Sequence, residues 1–132
     1  MNARTARAVV AAAWALFDGP PGAVVEVSLI AGREHTVLHA RHLRDSRATD
    51  VMAFPYGEPD LFGEILVNRD MAREQARRRG RSALQEAMLY VAHGALHLLG
   101  FRDDDAAARR SMRAAEARVL QRVAGGKKIR RA

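Results

Sequence analysis

The chain contains no cysteine among its 132 residues. Disulfides and thiolate metal sites are thereby excluded, so any bound metal must rest on histidine, carboxylate or water. Aromatic residues are scarce, with one Trp, two Tyr and four Phe. So few rings are expected in the core, Trp14 among them, and not in a base-stacking platform. No apolar run approaches the roughly 18 residues that would span a bilayer, and no membrane partner is expected. Ala8 to Phe17 follows Arg4 and Arg7 in the outline of a signal peptide, yet Asp18-Gly19-Pro20-Pro21 supplies no small-x-small cleavage site. Val9, Ala12, Ala13, Leu16 and Phe17 instead share one helical face, which reads as the first helix of a cytoplasmic domain.

Negative charge is in deficit: 15 Asp and Glu stand against 22 Lys and Arg, for a net charge of +7. Only Lys127 and Lys128 are lysines, so the basic character is almost entirely arginine. Such a balance points to an anionic partner, nucleic acid first, and the guanidinium fork suits phosphate. What the chain does have is a hydrophobic share of 48%, enough for one domain with a real core.

Local patterns predict an α+β fold, a small mixed sheet packed with about five helices. A helix from Thr5 to Phe17 stops at Gly19-Pro20-Pro21, and Val24 to Ile30 alternates as a strand that Gly32 ends. His35 to Arg44 has helical spacing. Thr49 to Pro55 and Glu64 to Asn68 read as two strands of a hairpin. Arg69 to Arg79 is a basic helix with Gly80 as its C-cap, and Ser82 with Gln85 forms a capping box opening the next helix. That helix is apolar nearly all round, which marks it as central and buried. A last helix runs from Asp104 to Val123. Gly125-Gly126 is expected to release a basic disordered tail (125–132), leaving one domain over 1–124.

The central helix carries the chemistry. His93 and His97 lie four residues apart on one helical face, Gly100 offers the exit, and Asp103 follows. This H-x3-H-x2-G-x2-D pattern resembles the long zincin signature, in which two His, a Gly and a third ligand build an open metal site. Unpaired imidazoles on so apolar a helix would be costly, which favours His93, His97 and Asp103 as metal ligands over three unrelated polar residues. Asp104 is the reserve ligand if the loop is displaced by one residue. Metalloproteases place a Glu directly after the first His as general base, whereas this chain has Gly94, so a protease is disfavoured.

His93-Gly94-Ala95-Leu96-His97-Leu98-Leu99-Gly100-Phe101 resembles the signature of the YbeY family of bacterial metal-dependent endoribonucleases, the rRNA maturation factors. Thr49-Asp50-Val51-Met52-Ala53-Phe54-Pro55 is similar to that family's T-D-V-L-S-F-P strand, and Gly63-Glu64-Ile65-Leu66-Val67 to its G-D-I-V-I strand. Met112, Glu116 and Leu120 resemble its last helix, so the likeness covers roughly residues 24 to 122. The resemblance implies a single-strand-specific, Zn2+-dependent endoribonuclease of 16S rRNA 3′-end maturation and ribosome quality control. His93, His97 and Asp103 would be its catalytic and metal-binding residues. RNA and the ribosome are the implied partners, with ribosomal proteins or assembly factors beside them. One departure stands out: the family motif ends Gly-Tyr-Asp-His, and Asp103 occupies the place of that third histidine.

Arg41, Arg44, Arg77, Arg78 and Arg79 are the RNA-binding candidates. The family's Arg before the T-D-V strand aligns with Leu43, beside which Arg41 and Arg44 are the substitutes. His35, His39 and His42 lie on the helix before the second strand, and His39 and His42 (i, i+3) could line an RNA groove or simply be surface histidines. Two other readings remain open, a different metal-dependent hydrolase and a ribosome-associated RNA-binding protein weakened in catalysis by the loss of the third His.

Overall fold

Short β-branched runs and one strongly apolar helix set the architecture. The computed structural model describes residues 1–43 and 49–131. Its elements are α1 (Ala3–Leu16), β1 (Val25–Ile30), α2 (Gly32–Leu43), β2 (Val51–Pro55), β3 (Gly63–Asn68), α3 (Arg69–Arg79), α4 (Ala83–Leu98) and α5 (Ala106–Arg131). β3 is the central strand, parallel to β1 with Val27 opposite Ile65 and antiparallel to β2 with Ala53 opposite Ile65. The sheet is thus small and mixed, and β2–β3 is the hairpin that the sequence predicts. Among the described residues no helix is long and apolar enough to cross a membrane.

Alternation along β3 gives the sheet two different faces. Gly63 and Ile65 lie against Leu98 and Gly94 of α4, while Glu64 and Leu66 border a groove with Leu38 and His42 of α2. α4 is the hub, packed on the sheet and flanked by α1, α3 and α5. Val91, Ala92, Ala95 and Leu96 have no exposed surface, and each branched side chain buried this way contributes about 1.5–3 kcal/mol.

Two helix boundaries differ from local expectation. α2 starts at Gly32, earlier than predicted, because the Gly32 N–H donates to Asp70 Oδ2 of α3 at 2.7 Å, a cap from 38 residues away. α5 runs on to Arg131, past the stop expected at Gly125-Gly126. Glycine costs only about 1 kcal/mol inside a helix, and no proline follows to force a break. The corner between α3 and α4 is as predicted. Gly80 adopts φ +67°, and the Ser82–Gln85 capping box closes in both directions at 3.0 and 3.1 Å.

Candidate metal centre

α4 ends in a Schellman turn that aims the following loop back at the helix. Gly100 takes φ +98°, its N–H donates to His97 O, and the Phe101 N–H donates to Leu96 O, both at 3.0 Å. Phe101 then packs edge-on against Phe17, the C-cap of α1 (centroids 5.0 Å apart), and Arg118 of α5 covers the Phe17 ring. With the loop pinned at Phe101, Asp103 returns to the two imidazoles.

His93 Nε2 and His97 Nε2 are 2.9 Å apart, and Asp103 Oδ2 lies 3.3 Å from the first and 3.4 Å from the second. Two facing nitrogens at that distance need a proton or a cation between them. A tetrahedral ion with bonds of about 2.0–2.1 Å separates its ligands by roughly 3.3 Å, so the three atoms fit one ion with sub-ångström adjustment. These residues could hold a metal, and two imidazoles with one carboxylate is a donor set that divalent ions accept. Asp103 makes this approach, while the reserve candidate Asp104 pairs with Arg102 at 3.1 Å. The third carboxylate, Asp105, caps α5 through the Ala108 N–H at 2.7 Å.

Glu116 of α5, buried, completes the arrangement. His93 Nδ1 donates to Glu116 Oε2 at 2.6 Å, which fixes the tautomer and leaves the Nε2 lone pair turned to the shared point. Burial pulls the His93 pKa down, but the Glu116 hydrogen bond and the charges of Glu116, Asp50 and Asp103 outweigh it, and the net shift is upward. The ligand side chains stay 22–44% exposed, open enough for a substrate to reach.

Gly94 shows why no protease base stands here. A Cβ on it would come within 2.7 Å of Ile65 Cγ2, so the position after the first histidine is pressed onto the sheet and has no room for glutamate.

A cleft of about 520 Å³ opens beside the histidines, lined among others by Asp50, Arg79, Arg81, His93, Asp103, Arg109, Arg113 and Glu116. Of the four arginine candidates among the described residues, Arg79 alone lines it. Arg77 and Arg78 are exposed on the last turn of α3, Arg78 paired with Glu74 at 2.9 Å, and Arg41 is exposed on the last turn of α2. Arg44 lies outside the described residues. His35 and His39 are buried, not surface residues; His35 Nε2 donates to Leu66 O at 2.8 Å. His42 is exposed with its ring edge against Phe54. Sequence reasoning missed the partnership of Glu116 with His93, and missed Arg109, Arg113 and Glu86 altogether. The available signal was a carboxylate standing inside an apolar helical stripe, at Glu86 in α4 and at Glu116 among Met112, Ala115 and Val119.

Fold and site together define an α+β protein in which two histidines of the central helix and an aspartate of the loop that follows form a cluster that could hold a metal ion. The family model described as Endoribonuclease YbeY matches residues 2–124, and the chain belongs to the YbeY family. Relatives named Endoribonuclease YbeY include one from Anaeromyxobacter dehalogenans, 36% identical over 126 residues that cover 91% of this chain and 65% of the relative. Another, from Deinococcus radiodurans, is 38% identical over 100 residues covering 71% and 64%. A third, from Thermus thermophilus, is 39% identical over 103 residues covering 74% and 73%. The chain thus spans somewhat under two thirds of the length of the first two relatives. The solution structure of a Thermotoga maritima protein superposes with a TM-score of 0.66 at 25% identity, covering 98% of this chain and 87% of that one.

Proposed function

We propose that the chain is a metal-dependent endoribonuclease that cuts single-stranded RNA, with one zinc ion held by His93, His97 and Asp103. The observation that carries this reading is the convergence of three ligand atoms within 4.8 Å, with Glu116 orienting one of them. Membership of the YbeY family supports RNA as the substrate, and the net charge of +7 agrees with a polyanion. We extend the proposal to 16S rRNA 3′-end maturation and ribosome quality control, in the cytoplasm, with ribosomal proteins or assembly factors as partners.

A divalent ion in this set supplies Lewis acidity toward a phosphoryl oxygen and makes hydroxide accessible near neutral pH. The protein's own residues do the rest. Glu116 keeps the proton on His93 Nδ1, and Arg109 donates through Nη1 to Asp103 O at 3.5 Å, bracing the loop that carries the third ligand. Arg79, Arg81, Arg109 and Arg113 give the cleft wall the charge to receive phosphates.

Metal analysis and cleavage of a single-stranded RNA by wild type and His97→Ala test the reading. The expected result is one ion per chain and cleavage in wild type, with both lost in the variant. Purified wild type without stoichiometric metal, together with equal cleavage by His97→Ala, overturns it. For the third ligand, Asp103→Ala is expected to release the ion and Asp104→Ala to retain it. One observation favours a second reading, an RNA-binding protein of weakened catalysis. A carboxylate at Asp103 lowers the net charge of the site relative to histidine, and with it the Lewis acidity. RNA that is bound but never cut would select that reading.

A further inference from the structure

Glu86 is fully buried on α4, with no exposed surface. Arg79 Nη1 reaches its carboxylate at 3.3 Å and Arg81 Nη1 at 3.5 Å, so two cations from opposite sides of the Gly80 turn share one anion. Both arginine side chains remain close to half exposed, at 47% and 45%, and both border the cleft that His93 and Asp103 border. Burial and this same carboxylate push the Tyr90 hydroxyl pKa upward, so the phenol beside Glu86 stays neutral. A guanidinium has five N–H donors, and each arginine reaches Glu86 through one terminal nitrogen. A lone buried carboxylate is an expensive way to join two helices, since burying a charge carries a desolvation cost that pairing only partly returns. It is an effective way to hold two half-exposed guanidiniums at fixed orientation on a cleft wall.

We propose that Glu86 is the positioning residue of a phosphate clamp. It sets Arg79 and Arg81 so that their remaining donors grip backbone phosphates of the RNA strand whose scissile bond lies at His93, His97 and Asp103. This rests on the RNA-cleaving reading of the site and adds to it where the strand is held. The clamp binds without taking part in bond breaking, so its loss raises KM and leaves kcat in place.

Glu86→Gln gives a test in which the bland alternative has the opposite sign. Removing this carboxylate adds one unit of positive charge, and point-charge attraction alone would tighten RNA binding and steepen its salt dependence. The clamp predicts looser binding, with about tenfold higher Kd for a labelled single-stranded 2′-O-methyl oligoribonucleotide that cannot be cut. It also predicts a matching rise in KM on a cleavable RNA, with kcat and metal content as in wild type. The double variant Arg79→Lys/Arg81→Lys keeps the charge, removes the forks from half-exposed positions and decides the matter if Glu86→Gln fails to fold. It is expected to show the same rise in Kd with little change in salt slope. Unchanged or tighter binding by Glu86→Gln, or wild-type affinity in the double lysine variant, overturns the clamp and leaves the RNA reading standing. Wild-type holoprotein that does not bind the oligonucleotide overturns the RNA reading, and the clamp with it.

Discussion

The two sides of α4 obey different rules. The side turned to the sheet (Val91, Gly94, Ala95, Leu98) is hydrocarbon and bare backbone, packed so closely that a single added carbon at Gly94 collides with Ile65. The side turned to the cleft carries Glu86, Tyr90, His93 and His97, at spacings of four, three and four residues. Glu86 and His93 are seven apart, about 10 Å along the axis. Each takes its partners from elsewhere, Glu86 from the end of α3 and the α3–α4 turn, His93 from α5 and the loop before it. The polarity is inverted between them, an anion held by two arginines at one end and imidazoles held by two carboxylates at the other. One side of the helix therefore specifies where it sits, and the other specifies what it does.

The sharpest way to break this division is to place chemistry on the packing side. Gly94→Glu creates the H-E-x-x-H arrangement of a metalloprotease, and a carboxylate chain forced against Ile65 is expected to cost about 4 kcal/mol or more. Loss of soluble folded protein, read by expression and circular dichroism, is the expected outcome; a folded variant that hydrolyses peptides would show that the two sides are interchangeable.

The next effect lies on the cleft side alone. Glu116→Ala removes the acceptor of the His93 Nδ1–H and is expected to weaken metal affinity by about 10–100-fold, measured by chelator competition. Unchanged affinity would mean that the 2.6 Å contact does not orient the ligand.

The smallest effect tests a histidine remote from the cleft. Burial lowers the His35 pKa from the ordinary 6.5 against the Leu66 hydrogen bond, with His39 adding repulsion and Asp50 a smaller upward pull. A depressed histidine pKa means that the unfolded chain binds the proton more readily, so stability is present above about 6.5 and declines as pH falls. Melting temperature is expected to drop between about pH 8 and pH 5, and to drop less in His35→Gln. An equal drop in both would assign the acid sensitivity to other groups.

What was legible in the sequence follows the same division. Helix ends governed by neighbours within four residues could be read directly, as the Ser82–Gln85 box and the Gly80 and Gly100 caps show. The i, i+4 pair His93 and His97 was legible for the same reason. The Asp70 cap on α2 was not, because it comes from 38 residues away. Glu116 was visible only as a likeness to a family helix, since nothing local says that a residue 23 positions on will meet His93. Glu86 was readable as an oddity in an apolar helix, but its meaning required Arg79 and Arg81 in space.

The Schellman turn at Gly100 carries one more consequence. Two of the three candidate ligands are bolted to a helix that cannot shift without disturbing the sheet, and the third arrives on a loop fastened mainly at Phe101. Such a site resembles a vice with one fixed jaw and one adjustable jaw. A change of ligand type, and with it of metal preference, is easier to accommodate on the adjustable side, where Asp103 stands.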